Sequence, residues 1–72
     1  MMSTSEIAQL RQRIEQEIIA ARLAMNGYAT VARHEVITHH LSVVGECFEH
    51  LTILVGEQAA IAFIGTQMEE HA

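Results

Sequence analysis

Residues 31–55 read VARHEVITHHLSVVGECFEHLTILV, and the recurrence of apolar side chains along this run decides the fold. At 100° per residue, Val36, Ile37, Val43, Val44, Cys47, Phe48, Leu51, Leu54 and Val55 share one broad face of a helix, while Glu35, His39, Ser42, Glu46, Glu49 and His50 share the opposite one. Ile53 falls on the polar side. So wide an apolar arc exceeds what one neighbour covers, and predicts contact with at least two. Gly45 lowers helix stability by about 1 kcal/mol relative to Ala; it is either a point of close backbone approach or a tolerated surface glycine.

Upstream, Ile7, Leu10, Ile14, Ile18, Ala21 and Met25 recur at spacings of three and four. Together they form a narrow stripe about 80° wide. Ser3, three residues before Glu6, has the spacing of a capping box. Asn26 and Gly27 can end this helix in a left-handed turn, with Thr30 capping the next. Tyr28, Ala32, Val36 and Val43 nevertheless continue the stripe with little phase error, so one unbroken helix is the competing reading. Tyr28 itself either packs across the corner or stands out as a recognition side chain. Downstream, Gly56 interrupts and Glu57 and Gln58 suit the first turn of another helix. Ala60, Ile61, Ile64 and Met68 line its main face, with Phe63 to one side. Glu69 and Glu70 oppose the helix dipole, so GTQMEEHA is expected to fray.

These segments predict an all-α fold in one helical domain over residues 1–72, with helices at about 4–26, 31–55 and 57–69. The first two form a long antiparallel hairpin, the third folds back, and a second copy completes the bundle. The chain has 72 residues, a size at which a single core is marginal and a staple or partner is commonly needed. Its lone Cys47 cannot close an internal disulfide. The core or interface positions expected are Ile7, Leu10, Ile14, Ile18, Val36, His40, Val44, Cys47, Phe48, Leu51, Ile61 and Ile64.

Charge narrows the function classes. The formal net charge is −5, with no basic face, which argues against nucleic acid. The four fixed cations are Arg11, Arg13, Arg22 and Arg33, while residues 34–72 carry six Glu and five His and no Arg or Lys. The opening MMSTSEIAQLRQR lacks the basic start and apolar run of a signal peptide. The most hydrophobic stretch, LTILVGEQAAIAFIG, holds Glu57 and Gln58 near its middle and does not read as a membrane span. A cytoplasmic protein without cofactor is expected.

Five histidines invite a search for metal ligands. Glu35 with His39, and Glu46 with His50, each have i,i+4 spacing, but the two pairs stand about 16 Å apart along the axis. One ion cannot touch both pairs of the same helix. Their spacing also departs from the Glu-x-x-His of carboxylate bundles, and HEVITHH is not His-Glu-x-x-His. The bland reading is a solvated face. His40 instead points into the apolar arc between Ile37, Val44 and Phe48, as a core or interface histidine paired with backbone or a carboxylate. Arg33, one heptad earlier on that side, faces solvent or a carboxylate such as Glu17. Cys47 has no cation near it in sequence and reads as a small buried hydrophobe. Glu15 has only Arg11 within reach along its helix, a weak surface pair. No nucleophile and base can be placed together, so the expected function is a noncatalytic interaction or homo-oligomerisation module, acting with its own copies or docked on a larger protein. The alternative is a metal-binding bundle whose Glu and His pairs converge across an oligomer.

Overall fold

The computed structural model describes residues 2–27 and 30–71. Three helices make the fold: α1 (Met2–Gly27), α2 (Thr30–Val55) and α3 (Glu57–Glu70). Residues 2–27 and 30–55 form two helices rather than one, and these pack antiparallel, so the unbroken helix does not form. The expected corner, Tyr28 included, lies outside the described residues. The first helix begins at Met2, ahead of Ser3, so Ser3 does not mark the boundary.

Cross-helix side-chain contacts give the direction of packing. Arg33 donates to the Met25 carbonyl oxygen at 2.8 Å, His40 meets Glu17, and His50 meets Glu6 at 3.0 Å. Each step down α2 is a step up α1, so the two long helices run antiparallel in one register. Ile14, Ile18, Val44, Leu51 and Ala60 form the buried cluster, with Ile7, Leu10, Cys47, Phe48 and Ile64 packed on it half-buried. Val36 is half-buried as well, nearer the open end of the hairpin. Ile53 projects into solvent at 80% exposure, on the polar side of α2.

Gly56 makes the sharp reversal into α3. Its φ is 93°, in the left-handed region where a Cβ is unfavourable. Its N–H donates to Thr52 O at 2.9 Å and its own carbonyl accepts from Ala60 N at 3.1 Å. One residue thus closes α2 and opens α3 without a side-chain cap.

The third helix turns a different face to the hairpin from the one its apolar spacing suggests. Ile61, expected in the core or at an interface, stands 53% exposed, outside the chain's own core, and Met68 is exposed too; the buried positions of α3 are Ala60 and Gln67. Packing explains the rotation. Ala60 is small enough to bring the helix close to the hairpin, and Gln67, two turns on, shares its face. Where the sequence predicts fraying from Gly65, the described residues stay ordered: α3 continues to Glu70, His71 N–H donates to Gln67 O at 3.1 Å, and the His71 ring reaches α1. Among the described residues no helix is long and apolar enough to cross a membrane.

Candidate metal centre at the seam of the first and third helices

Arg11 and Glu15 are one turn apart on α1, and the sequence offers them to each other. The structure gives both to α3 instead. The Arg11 guanidinium lies 4.7 Å from the centre of the Phe63 ring, a cation–π contact. Glu15 Oε2 lies 3.3 Å from His71 Nε2. As the contacts climb α1 from 11 to 15 they climb α3 from 63 to 71, so these two helices run parallel. On α3, Gln67 and Glu70 stand at i and i+3 on one face, and His71, the residue that follows the helix, brings its ring to Glu15 of α1.

This seam assembles the one group of three metal-ligating side chains among the described residues. Glu15, Glu70 and His71 each bring one donor atom, all within 4.8 Å of one another. Around a tetrahedral ion with bonds of about 2.1 Å, donors sit about 3.4 Å apart. The Glu15–His71 spacing already matches, and Glu70, an exposed side chain at the end of a helix, has only a small approach to make. Two carboxylates and an imidazole suit a divalent ion, and three protein ligands leave a further position open.

Sequence reasoning missed all three residues. Glu15 reads as a solvated flank and Glu70 and His71 as a frayed end, because the parallel register that joins them depends on the left-handed turn at Gly56. The one available signal was the Gln67, Glu70, His71 spacing at the end of α3.

The pairs that sequence reasoning did mark are not brought together within the chain. Glu35, His39, Glu46 and His50 are all exposed; His50 turns toward Glu6 of α1, and the centre of the His39 ring lies 5.5 Å from that of His40, the planes tilted by 60°.

His40 occupies the apolar arc as a paired residue. Its Nδ1 meets Glu17 Oε2, and Arg13 Nε donates to the other oxygen of Glu17 at 2.9 Å. Burial pushes the Glu17 carboxyl upward, but hydrogen bonds from His40 and Arg13, and their charges, outweigh it and hold the group below its ordinary value. Glu17 is thus spent on His40 rather than Arg33. Cys47 sits half-buried beside this pair; burial is the largest cause that raises its thiol, with Glu17 and Glu46 adding to it against Arg13. That environment makes a poor nucleophile.

No protein family, curated protein or solved structure matches the chain.

Proposed function

We propose that the chain is a small noncatalytic helical protein that binds one divalent transition-metal ion between α1 and α3. The observation that carries this reading is the convergence of Glu15, Glu70 and His71 from two helices to within 4.8 Å. A bound ion would neutralise two carboxylates that converge beside one histidine, and would tie the end of α3 to α1. Cytoplasmic residence belongs to the same reading, since a single half-buried thiol without a partner suits a reducing compartment. Calorimetric titration of zinc into untagged protein tests it. One ion per chain is expected, with affinity at least about tenfold weaker in Glu15→Gln and in His71→Gln and unchanged in His39→Gln. No heat up to about 1 mM zinc, or parent-like binding in both variants, would reject the site.

A second reading, self-association, is favoured by the face between α2 and α3. Leu41, Val44, Gly45, Phe48, Ile61 and Ile64 line an open groove of about 320 Å³, and Leu41 and Ile61 on its walls are each about half exposed. Gly45 forms part of it, and a Cβ built there meets nothing within 4 Å. Close approach at Gly45 is therefore available to another molecule rather than used within the chain. In this reading a second copy lays its own α2–α3 face on the groove and completes the helical bundle. The metal site uses neither face of that contact, so the two readings stand or fall separately.

A further inference from the structure

Below the Glu15–His71 contact the seam of α1 and α3 opens into a cavity of about 480 Å³, within the range of small-ligand sites. Its lining includes the apolar Ile7, Leu51, Val55 and Phe63, and four polar side chains reach it: Arg11 from α1, and Thr66, Gln67 and Glu70 from α3; the Thr66 hydroxyl donates to the Ala62 carbonyl oxygen at 3.1 Å. Gln67 is 7% exposed, and its Oε1 has no hydrogen-bond partner. A buried acceptor left in that state calls for a donor. Arg11 is held over Phe63, and no carboxylate pairs with it among the described residues.

We propose that this cleft binds an apolar α-amino acid. Its carboxylate goes to the Arg11 guanidinium, its ammonium donates to Glu70 and, with a turn of the amide, to Gln67 Oε1, and its aliphatic side chain lies on Leu51 and Val55. Charge selects the zwitterion. A simple carboxylate would face Glu70 as a like charge and leave Gln67 unfilled, and a simple amine would leave Arg11 without an anion. The proposal goes beyond the metal reading and shares only Glu70 with it.

Backbone-amide NMR of the full chain, with a chelator present so that Glu70 carries no ion, tests it. Titration with L-leucine is expected to shift the amides of Leu51, Val55 and Ala59 saturably. Isocaproate, which lacks the ammonium, and isoamylamine, which lacks the carboxylate, are expected to bind at least about tenfold more weakly. Arg11→Gln and Gln67→Leu should each weaken leucine to the same degree. The second variant fills the same space and removes the unpartnered acceptor, so it folds at least as well as the parent. Absence of saturation with leucine, equal binding of either analogue, or parent-like binding by Gln67→Leu would overturn the proposal. His71→Gln should lose zinc and keep leucine; loss of leucine with His71 would also overturn it, by assigning the cleft to the metal site.

Discussion

Glu17 receives hydrogen bonds from both an imidazole and a guanidinium, so its charged form is favoured by folding. A carboxyl whose folded value lies below its unfolded value contributes stability that is present above the ordinary value of 4.5 and lost as pH falls through the lower folded one. Acid should therefore weaken the α1–α2 hairpin at this pair. Urea melts of the parent at about pH 5.5 and about pH 3.5 are expected to differ by about 1 kcal/mol more than those of His40→Gln, in which Glu17 keeps only Arg13. Equal losses in both proteins would remove the pair from the account of acid sensitivity. The sequence shows His40 inside the apolar arc, but two arrangements were open there, a histidine bonded to backbone and one bonded to a carboxylate. Which Glu of α1 faces it depends on the hairpin register, and that register depends on where the corner lies.

Among the elements, α1 and α2 are the more legible. Their faces follow from 3.6-residue periodicity, and Asn26-Gly27 and Gly56 punctuate the chain where the helices end. The third helix is less so, because a 14-residue helix rich in small and apolar residues offers several faces of similar hydrophobicity, and only the turn at Gly56 selects among them. Ala60 and Gln67 end up buried while Ile61 is left outside, a choice that periodicity alone does not make. The two glycines of α2 and its exit should then respond in opposite senses. Gly56→Ala puts a Cβ on a φ of 93° and is expected to cost about 1–2 kcal/mol, loosening α3 and with it the zinc site. Gly45→Ala meets open space and should stabilise the helix by about 1 kcal/mol in thermal or urea melts at low protein concentration. A destabilised Gly45→Ala monomer would mean that the backbone at that point is already in contact.

On the scale of the whole molecule, α3 covers only part of the hairpin. Helices of 26 residues extend about 39 Å and one of 14 residues about 21 Å, so the molecule is long and thin, 43 × 20 × 17 Å. Its accessible surface of 5053 Å² exceeds the roughly 4,450 Å² of a compact protein of this mass. The excess, about 600 Å², approaches the roughly 800 Å² that each partner contributes to a stable interface. Sedimentation at about micromolar concentration is accordingly expected to give at least twice the chain mass of 8.0 kDa, and Gly45→Leu, which fills the groove, to shift it toward the monomer. A monomer throughout that range would confine function to the seam of α1 and α3. Metal binding at that seam is decided by diffraction from zinc-soaked crystals recorded at the zinc absorption edge. One anomalous peak is expected about 2.0–2.2 Å from a carboxylate oxygen of Glu15, a carboxylate oxygen of Glu70 and Nε2 of His71. Fully occupied zinc at Glu35 with His39, or at Glu46 with His50, and none at the seam, would contradict it.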